Sequence, residues 1–98
     1  MTFEHVLDVF REYLENDDVY EIVTTRYGYV ILDWDRRRLD YNGAHLCGTP
    51  EILMEELIGA FKNYFEYITT NGERDMTPQE QQEMEAQARA YRDRCLNG

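Results

Sequence analysis

The run Tyr29-Val30-Ile31-Leu32-Asp33-Trp34 decides how this 98-residue chain is read. Aromatic and β-branched types fill it, and it is too short for a helix, so it reads as a β-strand. Tyr27-Gly28 marks a turn before it. Ahead of that turn, residues 19–26 are again rich in β-branched types and form a second strand. After the central run, Asp35-Arg36-Arg37-Arg38 is too polar to bury and too short for a helix, which makes it a hairpin loop. Residues 39–47 then return as a third strand, interrupted at Asn42-Gly43. A bulge is favoured over a second turn there, because residues 44–47 are short for a separate strand.

Helices flank this meander. Thr2 stands where an N-cap belongs, and Phe3, Val6, Leu7, Phe10, Tyr13 and Leu14 recur at helical spacing, giving a helix over 3–16. Glu4, Asp8, Glu12 and Glu15 share its opposite face, with Arg11 among them. Asn16-Asp17-Asp18 ends it. Both prolines declare further helix starts. Thr49-Pro50-Glu51 supplies a capping hydroxyl, a preset φ and an acid in the first turn. Thr77-Pro78-Gln79-Glu80 repeats the pattern and adds a capping-box glutamate. The second helix, 50–69, carries Leu53, Met54, Leu57, Ile58, Phe61, Tyr64, Phe65 and Ile68 around nearly half its circumference. A stripe that wide touches the sheet and another helix, and Asn71-Gly72 stops it. The third helix, 78–96, has only the narrow seam Met84, Ala88, Tyr91 and Cys95, which needs a partner surface in cis or in trans. The expected fold is therefore one α+β domain over 1–98, in the order α-β-β-β-α-α. A three-stranded antiparallel meander packs against amphipathic helices.

Charge bounds the function. Twenty acids face ten bases, a net of −10. Residues 1–21 alone carry seven acids against one base. Such a surface opposes a direct grip on nucleic acid or an anionic membrane and favours a basic protein partner. The N-terminus lacks a basic segment followed by an apolar run, so a cytoplasmic protein without a signal peptide is expected. In that compartment Cys47 and Cys95 stay reduced.

No catalytic signature emerges, and no cofactor or metal is expected. His45 and Cys47 alternate on the third strand, yet no orienting acid or oxyanion motif accompanies them, so they read as a strand histidine and a buried thiol. His5, His45, Cys47 and Cys95 have the chemistry of zinc ligands but not the spacing of a zinc knuckle. Asp33 and Asp35 fall on one strand face as partners for Arg36, Arg37 and Arg38 rather than as an acid–base pair. The arginine run itself is a solvated hairpin with the chemistry to hold phosphate or an acidic peptide. The sheet is different, because both its faces carry large apolar groups. Within their strands Tyr20, Ile22, Val30, Leu32 and Trp34 fall on one parity and Val19, Val23, Tyr29 and Ile31 on the other. Helices cover one face; unless the last helix covers the second, aromatic surface stays exposed there.

The element order helix, three strands, helix is that of a double-stranded-RNA-binding domain. Glu51, Glu55 and Glu56 stand where such domains place basic residues, which opposes RNA binding. The stretch 26–35, with Cys47-Gly48-Thr49-Pro50-Glu51 and Met76-Thr77-Pro78, resembles small uncharacterised acidic proteins of Gram-positive gut bacteria, often on conjugative or phage-like elements. That resemblance implies a host-interaction or element-maintenance role and carries no catalytic residues. The expected function is a non-enzymatic protein-binding or regulatory accessory module. Its candidate contact residues are Glu4, Asp8, Glu12, Glu15, Tyr29, Trp34, Arg36, Arg37 and Arg38. The alternatives are an acidic nucleic-acid mimic inhibiting a DNA-binding or defence enzyme, and an enzyme built on Cys47 and His45. The seam Met84, Ala88, Tyr91 and Cys95 is a candidate for self-association as a homodimer.

Overall fold

The computed structural model describes residues 1–97. Its elements are α1 (Phe3–Val9), α2 (Arg11–Asn16), β1 (Tyr20–Thr25), β2 (Gly28–Asp35), β3 (Asp40–Cys47), α3 (Pro50–Thr70) and α4 (Pro78–Leu96). The strands form one antiparallel sheet in the order β1-β2-β3, so the expected α+β meander stands.

The first helix departs from the expected continuous run. Phe10, at φ −94° and ψ 6°, separates α1 from α2. The hydrogen-bond ladder survives, since Phe10 N–H donates to Val6 O at 3.1 Å and Leu14 N–H donates to Phe10 O at 2.9 Å. Neither proline nor glycine is present to cause the bend. What sets residue 10 apart is its ring, fully buried and stacked on Tyr91 at 4.6 Å and 12°. Packing of that ring outweighs local regularity in a segment too short to be rigid alone.

The capped boundaries fall where the threonines and prolines place them. Thr49 Oγ1 accepts from Ile52 N–H at 3.2 Å. Thr77 Oγ1 accepts from Glu80 N–H at 3.1 Å while Glu80 Oε1 accepts from Thr77 N–H at 2.9 Å, closing the capping box. Arg74 forks onto the same carboxylate at 2.8 and 2.9 Å. Asn71 ends α3 in the left-handed region, at φ 55°.

Two hairpins set the sheet. Gly28 closes the first at φ +135°, and a Cβ there would lie 2.5 Å from Cys47 O. In the second, Asp35 belongs to β2 and the loop is residues 36–39, one position later than expected. Leu39 adopts φ 55° and donates its N–H to Asp35 O at 2.9 Å. Pairing shifts between Asp33↔Gly43 and Trp34↔Tyr41, which leaves Asn42 as the extra residue of a β-bulge.

Register resolves the two faces. Ile22 pairs with Ile31 and Tyr20 with Asp33. Numbering parity therefore switches between strands: Tyr20, Ile22, Tyr29, Ile31 and Cys47 face the helices, while Val23, Val30, Leu32, Trp34 and Leu46 face away. One cluster joins Ile31 and Cys47 to Val6, Phe10, Tyr13, Leu53, Leu57, Phe61, Met84, Ala88 and Cys95. Met84, Ala88 and Cys95 are buried in this cluster, with Tyr91 packed against it. The α4 seam therefore meets its partner in cis, and the expectation of self-association through it is corrected. Cys47 and Cys95 are both buried and free.

Two stability experiments follow from these contacts. The Gly28→Ala variant should lose about 2 kcal/mol or more in denaturant titration, combining backbone strain with a clash against main chain. Hydrogen bonds from Arg74 and then Thr77 hold the Glu80 carboxyl down to about 2, from an ordinary 4.5. A carboxylate with a depressed folded pKa contributes stability that is present above the unfolded value and lost as pH falls through the folded one. Melting temperatures should therefore drop between about pH 4.5 and about pH 2, and Glu80→Gln should drop less across that window. Parallel curves for the two proteins would remove Glu80 from the linkage.

Candidate functional site

All the helices that close the core lie on one side, leaving the outer face of the sheet open. Its members come from three strands: Glu21 and Val23 from β1, Val30, Leu32 and Trp34 from β2, Tyr41, Ala44 and Leu46 from β3. Val23 is 40 % exposed and Leu46 51 %, while Val30, Leu32 and Trp34 are half-buried by their neighbours on the sheet. A period-two pattern places these side chains together, but only the register shows that they share a face with Tyr41 and Leu46.

A chain of contacts crosses this face. Trp34 and Tyr41 meet edge-on, with ring centroids 5.1 Å apart and planes at 73°. The Tyr41 hydroxyl donates to Glu21 Oε2 at 2.7 Å, tying β3 to β1 over the top of β2. Glu21 raises the Tyr41 hydroxyl above its ordinary pKa, because the hydrogen bond is strongest while the phenol keeps its proton. The face thus has a fixed aromatic corner beside an aliphatic field. Fixed rings suit a contact surface, because little side-chain entropy remains to be lost on docking.

The other expected contact residues are scattered. Tyr29 is on the helix-facing side, its ring 4.7 Å from that of Phe3, and so is corrected out of the open face. Glu4, Asp8, Glu12 and Glu15 are exposed on α1 and α2. Their row is broken by Arg11, which pairs with Asp8, and a groove of about 510 Å³ beside Asp8, Glu12 and Glu15 is also lined by Tyr91 and Arg94. Arg36 pairs with Asp18. The Arg37 and Arg38 amides donate to Asp35 Oδ1 at 2.9 and 3.2 Å, which holds that carboxyl below its ordinary range. Arg38 Nη1 also donates to Asn42 Oδ1 at 3.3 Å. Asp35 therefore shapes the hairpin through amides, while the first arginine finds its acid on the α2–β1 connection instead.

His45 and Cys47 do share the inner face, without forming a reactive pair. His45 Nε2 lies 3.2 Å from Glu56 Oε1, and the Cys47 thiol is directed at the His45 carbonyl oxygen, 3.9 Å away. Burial, and then the Glu56 charge, push the Cys47 thiol up. That direction opposes thiolate formation. His5 Nε2 is 2.8 Å from Arg94 O, an attachment of α1 to the end of α4. Among the described residues, no group of three or more histidines, cysteines or acids is arranged to hold a metal ion. Among them too, no helix is long and apolar enough to cross a membrane.

No protein-family model, curated protein or solved structure matches the chain. The site is therefore read from its own geometry. Both thiols should resist an aromatic disulfide reagent at about pH 8 in the native protein and react fully once the chain is denatured. Rapid native labelling of Cys47 would restore it as a candidate nucleophile.

Proposed function

We propose that this chain is a non-enzymatic protein-binding module whose contact surface is the open sheet face. The observation that carries this reading is the position of the uncovered layer. Val23, Val30, Leu32, Trp34 and Leu46 lie together on the side of the sheet opposite every core helix. Contiguous apolar surface of this kind is a common mark of protein interaction, and tryptophan and tyrosine are favoured at the centre of such surfaces. Trp34 is the anchor and Tyr41 holds it edge-on. Leu46 and Val23 form the most accessible aliphatic ground around it. The acidic residues of α1 and α2 bias encounter towards a basic partner, through long-range attraction rather than through the docked contact. A cytoplasmic accessory factor acting on a host protein suits the resemblance to proteins of mobile elements.

The nucleic-acid-mimic reading draws on the row Glu4, Asp8, Glu12 and Glu15. Arg11 and Arg94 interrupt that row, so it presents mixed charge rather than an even anionic track. The sheet face is the better-supported surface.

Capture on immobilised chain from a host lysate, compared across variants, tests the reading. Trp34→Ala and Leu46→Glu should each lose the protein that the wild type retains, with a truncated aromatic anchor costing about 2 kcal/mol of binding. Charge reversal at Glu12 and Glu15 should slow capture without abolishing it. Because Trp34 is the sole tryptophan, its fluorescence should shift to the blue when the partner docks. A partner retained by Leu46→Glu but lost on charge reversal, or displaced by DNA, would replace this reading with mimicry.

A further inference from the structure

The sheet has two edges, and they are built differently. β3 is blunted by the Asn42 bulge and by Asp40 at its start. Bulges and charges are two of the devices that stop an edge from pairing with another chain. β1 has no bulge, proline or lysine in Tyr20–Thr25, and four of its six residues are β-branched. Its one charge, Glu21, faces the outer side and is engaged by Tyr41.

The hydrogen-bond phase shows which backbone groups that edge offers. Trp34 N–H donates to Val19 O at 2.8 Å, and the β1–β2 register continues that pairing. In an antiparallel ladder, bonded and non-bonded pairs alternate. Glu21, Val23 and Thr25 therefore bond to β2, while the N–H and C=O groups of Tyr20, Ile22 and Thr24 point away from the sheet. Beside them a cavity of about 140 Å³ opens between β1 and α3, lined by Val19, Tyr20, Asn63, Tyr64 and Tyr67. Tyr67 is 66 % exposed at its rim.

We propose that two copies of this chain pair antiparallel through their β1 edges, about a twofold axis at Ile22, forming one six-stranded sheet. This goes beyond the reading of the outer face and does not depend on it. The sequence of β1 fits its own reverse in this register. Ile22 meets Ile22 and Tyr20 meets Thr24, so outward backbone groups meet outward backbone groups at every bonded position. Glu21 falls opposite Val23, so the two Glu21 side chains stand diagonally across the axis rather than directly against each other. Beyond the two ends of the strand, the turn residues Asp18 and Arg26 of opposite copies come alongside each other, twice by symmetry. Arg26 has no ion pair among the described residues, and Asp18, which already pairs with Arg36 of its own chain, is then shared between the two arginines. Thr24 of the second copy settles beside Tyr20 over the cavity, covering Tyr64 and Tyr67. A shift of register by one residue would oppose outward groups to bonded ones. Slips of two residues keep that phase, but a twofold at Glu21 would set Glu21 against itself and one at Val23 would part Asp18 from Arg26, so charge selects the twofold at Ile22.

Sedimentation velocity on the full chain at rising concentration, with amide exchange followed by NMR, tests the proposal. The expected result is a reversible dimer in which the amides of Tyr20, Ile22 and Thr24 exchange slowly. Thr24→Pro removes an amide that has no partner inside the chain, so it should keep the circular-dichroism spectrum and yield a monomer. Arg26→Asp should weaken the dimer about tenfold, whereas the control Arg26→Lys, which keeps the charge, should retain it. These two variants keep the test open should the proline disturb the strand. A chain that stays monomeric with Ile22 and Thr24 amides exchanging fast would overturn the proposal. So would a dimer that leaves those amides unprotected or survives Arg26→Asp, and loss on Leu46→Glu alone would assign such a dimer to the outer face.

Discussion

The stack of Phe10 on Tyr91 holds the arrangement of this protein. It joins the bend between α1 and α2 to the C-terminal half of α4. Phe61 of α3 meets Tyr91 edge-on at 4.9 Å and Tyr13 at 5.8 Å. Three helical segments therefore share one aromatic cluster. Such pairs contribute about 0.5–1.5 kcal/mol each beyond the apolar area they bury. The consequence for the sheet is topological. Once α4 is drawn to α1 and α3 by this cluster, its few apolar residues are used there, and no element among the described residues covers Val30, Leu32 and Trp34. The same contact that completes the core leaves the opposite face of the sheet open.

A second constraint fixes where the sheet begins. Asp17, buried after α2, accepts from the Tyr13 hydroxyl at 2.6 Å and from Val19 N–H at 3.3 Å. Burial, and then the hydrogen bond to Asp17, push the Tyr13 hydroxyl well above its ordinary value. The phenol therefore stays a donor, and the carboxylate has a partner in the helix and another at the start of β1. A buried polar group left without partners would cost about 1–3 kcal/mol, so both must be satisfied together. This pins Val19 against α2 and aligns Tyr20 with Asn63 and Tyr64. The position of the β1 edge is thus set by helix-side chemistry, although the edge itself faces solvent.

Much of the fold was legible in the sequence because its signals are local. The Thr49-Pro50 and Thr77-Pro78 caps, the Asn71-Gly72 stop and the Asn42 bulge all depend on backbone preferences of a few adjacent residues. The break at Phe10 was not legible, since it answers to a ring 81 positions away in α4. The composition of the open face was only half legible. Alternation within each strand showed that two apolar sides existed, but which members joined across the hairpins required the register. Tyr29 and Trp34 illustrate the difference: both are large aromatics on one strand, five residues apart, and they face opposite sides. Tyr41 and Leu46 do not read as one face from alternation alone, because the bulge at Asn42 resets the phase of Tyr41 relative to Leu46.

Net charge and open surface complement each other physically. An exposed apolar face and an unblunted strand edge invite unspecific association. A net charge of −10 on 98 residues opposes it, because copies approaching at random repel. The acids that produce this repulsion are not spread evenly. Twelve of the twenty stand on the four helices, whereas on the outer sheet face Glu21 is the acid and Tyr41 holds it. Screening over about 8–10 Å at ordinary ionic strength confines each charge to its own neighbourhood. Repulsion is thus strongest where the helices face one another and weakest at the open face, while at the β1 edge Asp18 is matched by Arg26 of the second copy. The chain disfavours contact in general while leaving two surfaces where contact of the right shape is least opposed by charge.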